Sequence, residues 1–519
     1  MPLVIMCFLG LFLRLYRVNA RELWFDEEQT FFIITTRLFN PHSGLSFLGY
    51  LKNLDSHPPL YYLVLFFWCK AWGATLAAMR YFSVLVNTVS LPLVYLLARR
   101  FCRKEGALFA VAMMVLSPFH LWYAQEARMY SFIALAGLLS TIFFCAAVRR
   151  QRWGWWGGYL LASVVLMGVT YYSVFLFISQ GLVVAGLKQK QAFKAWIICL
   201  GIGGAVFVLA LSAVLASQVS MLRGASWLTY EWQRSPWRLG QIFQVFLLGY
   251  NGTTNLYAML TVTVLLLMAR WLRTRPCREE MVPAVFCGAP VLMVFCLAAL
   301  GAPIMLTRQL ILFSPFLYIV IAQAAWCFPV FWRRVVLSAT VAILLLGVYN
   351  YFQGIVSVEH LRPGVYLKRP TSPIVELFLR ERQQGDSYGF SNYGLRATFR
   401  YYLHQIDPRA FAVVPCYYFY IPGKDFEYEL RLPFTKSYRP YIPANILGQP
   451  LRAYGMRRCW LFSTAWPRDG TMSYNDHLVY QWFSKKYRRV QERYYDGVWM
   501  TLFDITQEKE HGQQSDTGA

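Results

Sequence analysis

Runs of about 17 or more apolar residues recur from the start of this chain to about residue 350, each long enough to cross the hydrocarbon core of a bilayer as a helix. In lipid the backbone must satisfy its own polar groups, so such runs fold as helices. A soluble core needs far fewer of them, and the composition agrees: 15% of the residues are charged, where soluble domains carry about 25%. Past residue 350 the sequence becomes mixed polar and aromatic, as expected of a separate water-soluble domain of ordinary size.

The runs give about eleven spans, near residues 2–16, 76–98, 106–120, 130–148, 154–170, 173–187, 195–216, 255–270, 281–300, 309–326 and 335–350. Basic clusters lie between particular pairs: Arg99, Arg100, Arg103 and Lys104; Arg149, Arg150 and Arg152; Lys188, Lys190 and Lys194; Arg270, Arg273, Arg275 and Arg278; Arg333 and Arg334. The positive-inside rule puts all five in the cytoplasm. The apolar segment Pro58 to Trp72 would break that parity if it crossed. Its uninterrupted run is also short for a span, so residues 58–72 are expected to form a helix along the outer surface, with Pro58 or Pro59 in its first turn. Residues 17–75 then form one external loop, and the C-terminal domain lies outside. The opening run, Pro2 to Leu13, lacks a basic leader and a small-residue cleavage site, and is read as a short first span.

The net charge of +24 would suit nucleic acid. The Lys and Arg residues, however, collect in short loops where they orient helices and meet anionic lipid, so no nucleic-acid partner is expected. None of the cysteines forms a CxxC pair, and most lie in apolar runs as small buried hydrophobes. Cys416 and Cys459 both fall in the soluble part and could pair in an oxidising compartment, which spacing alone does not decide.

Three motifs share the external side. "LWFDEEQT" sets Asp26, Glu27 and Glu28 beside Trp24 and Phe25 at the membrane edge. Asp26 could simply cap a surface helix. Carboxylates among aromatics are costly there, though, and a partly desolvated carboxylate gains the proton affinity of a general base. "DSHPPLYY", Asp55 to Tyr62, holds His57 ahead of two prolines that fix the backbone. Its imidazole could bind a phosphate or a metal, or be an ordinary loop histidine. "SPFHLWYAQEARMYS" places Glu126 and Arg128 as the only formal charges between two spans. They could pair with each other, or serve a charged substrate, with Arg128 on a phosphate and Glu126 on a sugar hydroxyl or metal. Arg308, at the outer end of a later span, could snorkel to headgroups or contact a phosphate. No P-loop, GxGxxG, HExxH or GxSxG stands in a fitting context, so nucleotide-driven chemistry is not expected.

In order and spacing these motifs resemble those of the GT-C superfamily of membrane glycosyltransferases, closest to the branch of protein O-mannosyltransferases and lipid A aminoarabinose transferases. The match is good over residues 1 to about 150, looser to 350, and beyond that rests only on an extramembrane domain following the last span. The resemblance implies a polytopic α-helical membrane protein that takes a sugar from a polyprenyl-phosphate carrier on the external face. It implies Asp26 as base or acceptor-orienting residue, with Glu27 as the acid that follows it. It puts His57 where the family contacts phosphate or metal. Glu126 and Arg128 fall on the second external loop, where the family often has an acid; here that loop reads "QEARMY" rather than an Asp-containing motif.

The expected site therefore has Asp26 and Glu27 as catalytic acids, His57, Arg128 and Arg308 for the donor phosphate, and Glu126, Tyr61 and Tyr130 against the substrate. A divalent ion, Mg²⁺ or Mn²⁺, is one option for Asp26, Glu126 and His57, joined by Glu27. Expected partners are the membrane, the polyprenyl-phosphate sugar, and a lipid, glycan or protein acceptor. The expected location is the bacterial inner membrane. The expected domains are 1–350 in the membrane, 351–505 as an extracytoplasmic α/β domain, and 506–519 as a disordered tail. Within the α/β domain "SPIVELFLRERQQGD" and "DHLVYQWFSKKYRRVQERYY" read as helices, and "FAVVP", "CWLFSTAW" and "VWMTLFDI" as strands. Two other classes compete: a flippase of lipid-linked sugars using the carboxylates as a proton relay, and a membrane scaffold. Acids placed in an external loop rather than mid-span favour the transferase.

Overall fold

The computed structural model describes residues 1–34, 57–223, 237–302, 304–355, 371–420, 443–445, 451, 455–464, 472, 474–495 and 497–508. Asp55 of the second motif lies outside them. The chain divides into two compact units. One comprises Met1–Ala20 and Thr30–Tyr366, the other Arg21–Gln29 and Leu367–Ala519.

The first unit is helical: α1 Pro2–Leu15, α3 Leu60–Trp72, α4 Leu76–Ala98, α5 Lys104–Leu116, α6 Pro118–Ala124, α7 Tyr130–Arg150, α8 Trp153–Met167, α9 Ser173–Gly186, α10 Lys190–Arg223, α11 Trp237–Leu248, α12 Thr254–Arg273, α13 Val282–Ala299, a 3₁₀ turn Gln309–Phe313, α14 Ser314–Ala325 and α15 Val330–Phe352. Helix α2, Phe25–Phe32, runs from the second unit into the first. Among the described residues six helices are long and apolar enough to span alone, namely α4, α7, α10, α12, α13 and α15, and the α5–α6 pair makes a seventh. A helix stands at each expected span, but α1, α8, α9 and the 309–325 stretch are shorter, so length and composition support fewer crossings than about eleven.

The expected span 106–120 is broken. α5 and α6 meet at 56°. Ser117 between them is extended, the conformation a following proline favours. Its hydroxyl accepts from the His120 N–H and donates to the Phe246 carbonyl at 3.1 Å, so the bend is held at both sides. Between the expected spans 195–216 and 255–270 lies one more helix, α11. Helix α3 buries Tyr61, Leu65 and Cys69 at helical spacing and leaves Phe67 and Trp72 exposed. At 13 residues it is only about 20 Å long. Packing is close where α7 meets the 3₁₀ turn: a Cβ on Gly137 would fall 2.0 Å from Leu312 Cδ1.

The second unit is a six-stranded sheet, ordered β3-β2-β1-β4-β6-β5. Its strands are β1 Asp386–Phe390, β2 Cys416–Tyr420, β3 Pro443–Asn445, β4 Arg458–Thr464, β5 Tyr487–Tyr495 and β6 Val498–Glu508. β3, β2, β1 and β4 are parallel, and β6 and β5 are antiparallel. Side chains alternate across the sheet as a period of two requires. Trp460 and Phe462 join Phe378, Phe399 and Leu502 on one face, while Cys459 and Leu461 join Val479, Phe483 and Phe503 on the other. Helices α16 Ser372–Glu381 and α17 Tyr393–Ile406 contribute to the first face and α19 Tyr474–Lys486 to the second.

Several local expectations change here. "FAVVP" begins inside helix α18, Pro408–Val413, rather than in a strand. The preceding Asp407 accepts from the Ala410 N–H at 2.9 Å, a capping aspartate ahead of a first-turn proline. "YRRVQERYY" is strand β5, not the end of a helix. Strand β6 continues to Glu508, past the expected domain end at 505; the rest of the expected tail lies outside the described residues. Cys416 and Cys459 are free thiols on opposite faces of the sheet. Strand β1 lies between theirs, so their Cα atoms stand about 9–10 Å apart, beyond the reach of a disulfide.

Candidate active site

The bend at Ser117 aims α6 so that the following turn, 125–129, is buried. Gln125 ends α6, and its amide nitrogen donates to the carbonyls of Arg14 and Tyr16 at 2.9 and 2.8 Å. The Tyr351 hydroxyl donates to the Gln125 side-chain carbonyl oxygen at 2.8 Å. Arg14 is itself fully buried. It donates to Asn87 Oδ1 at 2.7 Å, and to the carbonyls of Gly10 and Met114. Asn87 passes a hydrogen bond to Ser131 at 3.2 Å, and Ser131 donates to the Tyr123 carbonyl at 3.0 Å. A cation that looks in sequence like the end of the first run therefore belongs to a buried polar network around the turn.

That turn carries Glu126 and Arg128, both buried. Arg128 Nη1 donates to Thr30 Oγ1 at 3.1 Å and to the Tyr62 hydroxyl at 3.0 Å. One guanidinium thus joins all three sequence motifs: Thr30 closes "LWFDEEQT", Tyr62 closes "DSHPPLYY", and Arg128 lies in "YAQEARMYS". Thr30 is four residues after Asp26 along helix α2. Asp26 is half-buried and Glu27 fully buried. The Tyr61 ring packs edge-on against Tyr62 at 5.3 Å. Tyr130, the first residue of α7, packs its ring on Tyr123 at 4.6 Å, and Tyr123 shares a 3.0 Å hydrogen bond with Tyr250.

His57 and Arg308 come together through Gln309. His57 Nε2 and Gln309 Nε2 lie 2.8 Å apart, and Thr170 Oγ1 donates to Gln309 Oε1 at 3.1 Å. Arg308, buried, directly precedes Gln309 and caps the 3₁₀ turn. Close by, the Tyr172 hydroxyl donates to the Ile304 carbonyl. His57 sits just ahead of α3, whose first N–H, Leu60, is held by the Gly168 carbonyl at 3.0 Å.

The acidic stretch also has partners of its own. Burial raises the Glu28 carboxyl to about 7, while the nearby Arg396 and Arg400 guanidiniums pull it down. Among the described residues no group of three or more His, Cys, Asp or Glu side chains is gathered to hold a metal, and the candidates Asp26, Glu126 and His57 form none. Thr30, Tyr62, Gln309, Thr170 and Arg14 join the residues read from sequence. Only Arg14, a charge within an apolar run, carried a sequence signal strong enough to find it.

A family model described as dolichyl-phosphate-mannose-protein mannosyltransferase matches residues 56–216, which include the third motif and nearly all of the second. ArnT from Cupriavidus metallidurans bound to undecaprenyl phosphate superposes with a TM-score of 0.59 at 13% identity, over 97% of this chain and 97% of that one. Its apo state gives 0.58 with the same identity and coverage. The apo oligosaccharyltransferase of Archaeoglobus fulgidus gives 0.46 at 12% identity, over 78% of this chain and 63% of that one. No curated protein sequence matches the chain. Over nearly its full length the chain shares the fold of the ArnT structures, and its residues 56–216 match the mannosyltransferase family model. Its apolar helices are those of a multi-pass membrane protein, followed by a small C-terminal sheet domain.

Proposed function

We propose that the protein transfers a sugar from a polyprenyl-phosphate donor to an acceptor hydroxyl on an envelope lipid, glycan or protein at the extracytoplasmic face. The observation that carries this reading is the Arg128 guanidinium, buried and bonded to Thr30 and Tyr62. Its partner Thr30 stands one helical turn along α2 from Asp26. Transfer from a lipid phosphate needs a cation and a carboxylate of this kind. The acceptor hydroxyl must lose a proton as it attacks the anomeric carbon, and Asp26 receives it. The bond to the phosphate oxygen breaks, and the phosphate keeps the electron pair. Arg128 and Arg308, held in a buried setting, balance the charge that develops there, and His57 donates or accepts at the same group. Glu126, Tyr61 and Tyr130 line the sugar. The ArnT relative is bound to undecaprenyl phosphate, which supports a donor of the same lipid class.

The test is transfer by the purified full chain in liposomes, with a panel of undecaprenyl-phosphate-linked hexoses and pentoses and mixed acceptors. The expected outcome is labelled acceptor together with free undecaprenyl phosphate. Donor crossing the bilayer with neither product contradicts the proposal in favour of a flippase.

A further inference from the structure

The second compact unit includes residues 21–29 as well as the C-terminal sheet domain. Its grip on that short stretch is specific. Helix α16 begins at Ser372 with no side-chain hydrogen bond from its own cap residue, Thr371. Glu22, 350 residues upstream, supplies one: its carboxylate accepts from the Ser372 hydroxyl at 2.5 Å and from the Ser372 N–H at 3.3 Å. A carboxylate at a helix N-terminus meets both the unpaired N–H groups and the positive end of the helix dipole. The next residue, Leu23, donates its backbone N–H to the Tyr402 hydroxyl on α17 at 2.8 Å. Leu23 and Trp24 are both buried. One turn into α2, the Glu28 carboxyl lies within the field of Arg396 and Arg400, which are four apart on α17. Contacts at residues 22, 23 and 28 bracket Asp26 on both sides.

We propose that α16 and α17 of the C-terminal domain form a clasp on residues 22–28, with Glu22, Ser372 and Tyr402 as positioning residues that set where the Asp26 carboxylate points. This rests on the reading of Asp26 as the base. It gives the C-terminal domain a definite part in the reaction without requiring it to touch either substrate. The clasp residues act through the backbone of residues 22–28. Their loss therefore lowers the rate of the chemical step and leaves donor binding, which depends on Arg128 and Arg308, unchanged.

Two readouts on the full chain in liposomes test this. The first is hydrogen exchange at the Leu23 amide. Tyr402→Phe removes only the accepting hydroxyl and is expected to speed exchange there by about tenfold or more. The second is transfer kinetics with the fastest donor of the panel. Tyr402→Phe and Ser372→Ala are expected to lower kcat by about ten- to a hundredfold with donor KM within about twofold. Ser372→Thr, which keeps a hydroxyl, is expected to stay near wild type. Glu22→Gln combined with Ser372→Ala is expected to cost little more than either alone, since both remove one contact. Unchanged Leu23 exchange, or wild-type kcat in Tyr402→Phe and Ser372→Ala, overturns the clasp. Wild-type transfer by Asp26→Asn, with exchange altered as expected in Tyr402→Phe, overturns instead the reading of Asp26.

Discussion

At the scale of single residues, the charged members of the site stand out in sequence and the neutral ones do not. Asp26, His57, Glu126 and Arg128 are conspicuous because a charge or an imidazole is expensive beside lipid. Thr30, Tyr62 and Gln309 are ordinary residues that matter only because the fold brings a guanidinium or an imidazole to them. The Arg128 guanidinium gives one prediction. One of its nitrogens, Nη1, bonds both Thr30 and Tyr62, which leaves the rest of the planar group for a phosphate; a lysine ammonium keeps the charge but has only that one nitrogen. Arg128→Lys is expected to reduce kcat/KM by about a hundredfold, read from initial rates of undecaprenyl phosphate release; a rate within about threefold of wild type would remove the guanidinium from that role. Glu28 gives a second. Its carboxyl rises from 4.5 to about 7 on folding, so the folded chain binds that proton more tightly than the unfolded one. The contribution to stability is full below pH 4.5 and is lost as pH rises through about 7. Melting of wild type against Glu28→Gln at about pH 5 and about pH 8 should show a smaller pH effect in the variant, and an equal effect in both would contradict the assignment.

At the scale of elements, span positions were legible because length and hydropathy dominate in a bilayer, and helices stand where the apolar runs do. Interruptions were not. Ser117 and Pro118 sit within a continuous apolar run, and only the backbone restriction before proline hints at the 56° bend. In the soluble domain the strands "CWLFSTAW" and "VWMTLFDI" were legible from β-branched and aromatic content, and β4 and β6 pair directly. "FAVVP" misled because its apolar run outweighed the Asp407–Pro408 helix start, which is the better signal. Strand β5 misled because it lies at the sheet edge, largely exposed and rich in arginine, where alternation is weak. Helix α3 carries the topological prediction. If it lies on the outer surface, a thiol at the exposed Trp72, made by Trp72→Cys, should react with an impermeant maleimide from outside above the wild-type background; labelling only after the membrane is opened would reverse the assignment.

At the scale of the whole molecule, the fold is that of the ArnT structures over nearly its full length, and its three motifs, read apart in sequence, meet at one buried guanidinium. The two-unit division assigns the acidic stretch 21–29 to the C-terminal unit. Hydropathy could not show this, because the grip is made by a few hydrogen bonds between segments 350 residues apart. On the proposed function the protein transfers sugar from a lipid phosphate with Asp26 as the base. The most direct measurement is the rate of undecaprenyl phosphate release by Asp26→Asn at saturating donor, beside donor affinity in the same liposomes. The expected result is a loss of about a thousandfold in rate with affinity within about threefold of wild type, and release at close to the wild-type rate would rule out Asp26 as the base.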